Sequence, residues 1–217
     1  MKLNVDQTLQ QAVNLHNSEK HEEAERLYRE ILKDEPTQLD ANNNLGVLLY
    51  ETNRLDEAEK ILKKAIKLKP DFLDTLNNLG NLFRKKEEHQ KAIKYYQETI
   101  KINPYYSKGH NNLGAIFYEL GKYKKAKSYF EKAIEINPNY LKAYGDLGMV
   151  LFQLREDQNS LKCFKKVSSI DSTNKAFYGT YGKLLCRMNK HSQGLRLIKN
   201  NDGIVRFSQL TYEIIKK

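Results

Sequence analysis

The chain has 217 residues, and its 37 Lys and Arg exceed its 27 Asp and Glu by ten. With 40% hydrophobic and 10% aromatic residues, it has the composition of an ordered, soluble chain of one or two small domains and not of a disordered tail. Apolar runs stop at four residues, as at Val47 to Tyr50, Ala115 to Tyr118 and Met149 to Phe152, whereas a spanning helix needs about 20, so no transmembrane segment is expected.

The N-terminus has no apolar stretch behind Lys2, so no secretory signal is expected and the location is predicted to be cytoplasmic. Cys163 and Cys186 form a lone pair. They suit a reducing compartment and are read as two unrelated buried thiols.

The predicted elements come as helix pairs on one fixed period. Pro36, Pro70, Pro104 and Pro138 follow each other at intervals of 34 residues, and Ser172 holds the next place. Asn44-Leu45-Gly46, Asn78-Leu79-Gly80, Asn112-Leu113-Gly114 and Asp146-Leu147-Gly148 recur in the same register, with Thr180-Tyr181-Gly182 as a worn copy. Ala24, Ala58, Ala92 and Ala126 share a later position, replaced by Ser160 and Gly194. Four residues on stand Tyr28, Leu62, Tyr96, Phe130, Phe164 and Ile198.

Within the third unit, Leu76, Leu79 and Phe83 form one helical stripe, and Ala92, Ile93, Tyr96 and Ile100 form another after a short polar break. Thr52-Asn53 and Gly121 are read as first-helix ends, with Asp56 or Asp157 as caps of the next helix. Proline then stops the second helix because it cannot donate to a continuing one. Small Gly and Ala positions predict close helix approach, with the large residues filling the seam. Period-two alternation is nowhere long enough to suggest a sheet. Residues from about 206 to 216, with Arg206, Phe207, Leu210, Tyr212, Ile214 and Ile215, are read as a final capping helix.

Leu45-Gly46, Leu49, Ala58, Leu62, Ala65 and Pro70 carry a resemblance to the tetratricopeptide repeat (TPR) family, with close matches in the next two units. It implies an all-α fold, a right-handed superhelical solenoid of about six helix-turn-helix units over about 5–38, 39–72, 73–106, 107–140, 141–174 and 175–201. The first unit departs, with Gln11 and Ala12 in place of Leu-Gly, and the last lacks the proline and holds Gly194 inside its second helix. Atypical terminal units suit a solenoid, whose ends meet solvent.

By analogy with the family, first helices line a concave groove. Two adjacent groove positions then read Asn43, Asn77, Asn111, Gly145 and Asn44, Asn78, Asn112, Asp146. Asn is a poor helix-interior residue because its amide competes for backbone hydrogen bonds. One reading is a ladder of carboxamides holding the backbone of an extended peptide, with Tyr50, Arg84, Tyr118 and Phe152, Asn81 and Lys85 as neighbours. The other is that these Asn residues belong to helix packing or to a biased composition. The ladder resembles the superhelical repeat region of the O-linked N-acetylglucosamine transferases at Asn44, Asn78 and Asn112, and fades at Asp146 and Thr180. A carboxylate clamp is filled only by Asn81, Asn112 and Lys142, with Asn77 and Asp146 in place of its cations.

Candidate chemistry is otherwise sparse. His21-Glu22-Glu23-Ala24-Glu25 lacks the second His of a zinc-protease helix, and Gly179-Thr180-Tyr181-Gly182-Lys183 lacks the spacing of a phosphate loop. His16, His21, His89, His110 and His191 fall at different repeat positions and are read as surface or turn residues, so neither a metal nor a cofactor is expected and the chain is not expected to be an enzyme. Net charge runs from −3 over residues 1–38, through 0, +2, +3 and +1 in the next four units, to +7 over 175–217. A basic end could attract phosphate, and Lys183 and Arg187 at groove positions could receive an acidic ligand end. The sequence therefore predicts a monomeric scaffold or adaptor for a protein or peptide partner. An accessory subunit of a separate glycosyltransferase and an anion or RNA binder stand as alternatives.

Overall fold

The computed structural model describes residues 4–171, 176–202, 204–207 and 212–215. Ser172, at the fifth proline position, lies outside the described residues, as do 208–211 and 216 of the expected capping helix. In chain order the helices are α1 (Val5–Asn17), α2 (His21–Asp34), α3 (Leu39–Glu51), α4 (Leu55–Leu68), α5 (Leu73–Lys85), α6 (His89–Ile102), α7 (Ser107–Glu119), α8 (Tyr123–Ile136), α9 (Leu141–Gln153), α10 (Asp157–Ile170), α11 (Tyr178–Arg187) and α12 (His191–Asp202). Strands β1 (Ile204–Phe207) and β2 (Tyr212–Ile215) follow. Among the described residues no helix is long and apolar enough to cross a membrane.

The chain divides into two compact units, residues 1–109 and 110–217. In the first, α1 packs on α2, α3 on α4 and α5 on α6, and α2 and α4 each also meet the first helix of the next pair. The second repeats the scheme from α8 to α12. The predicted seam is present in both. A Cβ added to Gly46 would stand 2.5 Å from Leu62 Cδ2, one on Gly114 2.7 Å from Phe130, and one on Gly148 2.8 Å from Phe164. Ala24, Ala58, Ala92 and Ala126 are fully buried. Where Ser160 replaces Ala, its hydroxyl is satisfied by donating to the Gly148 carbonyl at 2.7 Å. Gly194 also finds its reason: a Cβ there would meet the Gly182 carbonyl at 2.5 Å, so the last helix pair closes backbone against backbone.

Each turn within a pair passes through a left-handed residue at one repeat position: Glu19, Asn53, Glu87, Gly121, Arg155 and Asn189, with φ between 59° and 69°. The residue after it sends its N–H back into the first helix, as Arg54 does to the Leu49 carbonyl at 2.8 Å and Glu88 to Phe83 at 2.9 Å. The predicted aspartate caps are corrected. The residues before α4 and α10 are Arg54 and Glu156, neither making a side-chain cap. Asp56 and Asp157 lie inside the first turn, where the helix dipole favours a carboxylate. Both are ion-paired to the next repeat, Asp56 with Lys86 at 2.9 Å and Asp157 with Arg187.

The capping helix is also corrected. β1 and β2 pair antiparallel, with Ile204 opposite Ile215 and Phe207 opposite Tyr212. Ile204, Val205, Phe207, Tyr212, Ile214 and Ile215 are β-branched or aromatic, types that lose side-chain freedom in a helix and suit a pleated surface. The fold is all-α apart from this ribbon.

The left-handed turns yield a stability test. Replacing Glu87 by Gly removes a left-handed cost of about 1–2 kcal/mol against about 0.5–1 kcal/mol of added chain entropy. Glu87→Gly should therefore raise the urea midpoint at unchanged m-value, and Gly121→Ala, at φ +69°, should lower it.

Candidate functional site

The expected site residues of the first unit stand on its first helices. On α5 these are Asn77, Asn78, Asn81, Arg84 and Lys85; on α3 they are Asn43, Asn44 and Tyr50. The two asparagine rows differ in depth. Asn43 and Asn77 are buried, whereas Asn44, Asn78, Asn81, Arg84 and Tyr50 are half-buried. Asn43 Oδ1 accepts from the Thr75 hydroxyl at 2.9 Å and from Asn78 Nδ2 at 3.0 Å, and its own amide donates to Asn44 Oδ1 at 3.2 Å. One carboxamide thus joins α3 to α5, a packing role that spacing alone did not separate from ligand binding. Asn81 accepts from the Tyr96 hydroxyl at 2.7 Å.

The second unit repeats this logic on its own residues. Asn111 and Asn112 are buried, and Asn111 Nδ2 donates to Asp146 Oδ2 at 3.2 Å. This bond again spans 35 positions, as Asn43 to Asn78 does. Asp146 therefore holds its place in the row as an acceptor between repeats. Tyr118 is half-buried, with its ring 5.5 Å from that of Tyr123.

A second cross-repeat device lies about two turns further along. Lys85 donates to the Tyr50 carbonyl at 3.0 Å while its ammonium sits 4.7 Å from the Tyr50 ring centroid. Arg187 donates to the Phe152 carbonyl at 3.0 Å, stacks 3.8 Å from the Phe152 ring and pairs with Asp157 through Nε at 2.8 Å. Arg187 is thus an internal clamp. Lys183, exposed, opens on a hollow of about 550 Å³ with Phe152, Gln153, Arg155, Cys186 and His191.

In the first unit the corresponding position pairs His16 Nε2 with Glu51 Oε2 at 2.7 Å. Around them is a hollow of about 600 Å³ that includes Val13, Glu19, His21, Tyr28, Asn44 and Val47. Tyr28 is fully buried, and burial, then the Glu51 carboxylate, push its phenol up to about 12 against a hydrogen bond with Asn44. His16 and His21, separated in the sequence reading, meet edge-on with ring centroids 5.8 Å apart. Two signals could have found this group: two histidines flanking one turn, and Glu51 one repeat beyond His16.

Both cysteines are free and buried. Burial, then Glu131, push the Cys163 thiol up to about 11, with Lys166 opposing, and burial raises Cys186. A thiol raised this far holds about one part in a thousand as thiolate at pH 8. Cys163 should accordingly resist a thiol reagent at pH 8 in the native protein and react at once in urea. Asn43→Ala strands the Thr75 and Asn78 donors and should cost about 1–3 kcal/mol of stability by denaturant titration.

Models described as tetratricopeptide repeat match residues 15–78, 73–106, 107–140 and 141–174. No curated protein sequence matches. Solved structures are similar in fold. That of pilF from Pseudomonas aeruginosa has a TM-score of 0.79 at 20% identity, covering 90% of each chain. PilW, a type IV pilus biogenesis factor, has a TM-score of 0.80 at 16% identity, covering 93% of this chain and 94% of the other. YrrB, a TPR protein with an unusual peptide-binding site, has a TM-score of 0.59 at 20% identity, covering 78% and 88%. At these identities the likeness is one of fold, but the repeat models together run from residue 15 to 174, and the chain belongs to the tetratricopeptide repeat family.

Proposed function

We propose that the protein is a non-catalytic interaction module that holds an extended segment of a partner protein against the polar faces of its first helices. The observation that carries this reading is the half-buried polar row on α3 and α5. Asn44 on α3 and Asn78, Asn81 and Arg84 on α5 are half-buried, each keeping part of its side chain at the surface. Their neighbours Asn43 and Asn77, one position earlier, are buried, and Asn43 ties its repeat to the next. A carboxamide has two donors and two acceptor lone pairs, so Asn78 retains capacity beyond its one bond to Asn43. Such a row reads peptide backbone and tolerates varied sequence, which suits a scaffold. That YrrB, a TPR protein of related fold, has a peptide-binding site is in keeping with this use.

The basic end favours the alternative of anion or RNA binding less than its net charge suggests. Arg187, one of its cations, is paired with Asp157, so part of that charge is neutralised within the second unit.

The test starts from affinity purification, followed by fluorescence polarisation with a peptide from the recovered partner. Asn44→Ala and Asn78→Ala combined should weaken binding roughly tenfold at unchanged circular dichroism, since each bond contributes about 0.5–1.5 kcal/mol. Undiminished affinity in that variant would remove the proposal. Binding of a random oligonucleotide that falls steeply with salt would favour the alternative.

A further inference from the structure

His16, His21 and Glu51 converge from three helices of the first unit. Their ligand atoms, one from each residue, all lie within 4.8 Å of one another, and His16 Nε2 and Glu51 Oε2 are 2.7 Å apart. His16 is in the last turn of α1, Glu51 is the last residue of α3, and His21 is the first of α2. The fold creates this meeting in two steps. The turn through Glu19, at φ 59°, folds α2 back on α1 and sets the two imidazoles edge-on. The 35-residue register between repeats then lays Glu51 beside His16.

We propose that His16, His21 and Glu51 form a binding site for a divalent transition cation of the zinc class. Two imidazoles and a carboxylate are a borderline donor set that suits zinc over the harder magnesium or calcium. Bonds of about 2.0–2.1 Å in tetrahedral geometry place ligand atoms about 3.3 Å apart, so side-chain rotations of about 1.5 Å bring the three into range. The fourth position would face the hollow they line, open to water or to a partner's ligand atom.

Two surrounding features favour a cation here. Of the three helix ends at the group, the negative C-terminal ends of α1 and α3 outnumber the positive N-terminal end of α2. Behind His16 stands the buried Tyr28 hydroxyl, 3.4 Å from Nδ1. With Nε2 on the metal, Nδ1 carries the proton and donates to that hydroxyl, which holds the ring in one tautomer. Tyr28 is thus a positioning residue. The cation would tie α1 and α2 to α3 in a repeat whose motif lacks Leu-Gly and has Gln11 and Ala12 instead.

The whole protein, carrying Cys163→Ser and Cys186→Ser so that no thiol competes, is titrated calorimetrically with zinc chloride. One ion per chain is expected, with Kd on the order of a micromolar or tighter. His16→Ala, His21→Asn and Glu51→Gln should each weaken it by about tenfold or more, and Tyr28→Phe by about tenfold with the stoichiometry kept. His191→Ala should change nothing. Cobalt in place of zinc should give the visible bands of a tetrahedral complex, lost in His21→Asn, a substitution at the start of a helix that leaves the fold intact. No heat from the unsubstituted His16, His21 and Glu51 site would overturn the proposal. So would undiminished zinc uptake by a His16→Ala, His21→Asn double variant with unaltered circular dichroism.

Discussion

From α3 to α11, a glycine on each first helix facing a large side chain sixteen residues later sets the separation of the helix pair, and other features follow from that distance. Gly46 against Leu62 and Gly148 against Phe164 leave no volume for even a methyl group. Helices this close must cross with their small residues in register, because the interior is packed as densely as an organic crystal. One face of the first helix is thereby given to its partner. Polar groups are carried outside that seam, and Asn44 and Asn78, two positions before the glycines and so about 160° round the helix from them, sit there.

Polar groups then couple one repeat to the next. Asn43 and Asn78, and Asn111 and Asp146, meet at the same spacing of 35 residues, with the donor on the later residue in the first pair and on the earlier one in the second. His16 to Glu51, Lys85 to Tyr50 and Arg187 to Phe152 use that spacing again with different chemistry. The apolar seam is repeated nearly unchanged, while the cross-repeat contact varies from amide to ion pair to cation on an aromatic face. Function has room to vary at the second kind of contact because the first kind holds the helices.

This division explains what could be read in advance. The 34-residue period located the helices, the seam and the turns, since each depends on residues within one repeat. The period also placed Asn43 and Asn44 side by side, but their different depths depend on where the next repeat packs, and only Asn43 meets Thr75. The same reason hid His16, His21 and Glu51, which look dispersed until two repeats are stacked. Asp56 and Asp157 were misread as caps because an acid near a helix start serves either a backbone amide or a neighbouring cation, and here Lys86 and Arg187 supply the cations. The ribbon at residues 204–207 and 212–215 lacks the repeat register altogether, so only residue type remained to guide the reading there.

The two registers together restrict how the chain can change in length. One extra residue inside α3 would rotate its later positions by about 100°, moving Gly46 off Leu62 or Tyr50 away from Lys85, according to where it fell. No single insertion restores both, because one contact is counted from the second helix of the same pair and the other from the first helix of the next. Growth or shortening of such an array must therefore proceed in whole repeats, and smaller changes are confined to the turns and to the ends.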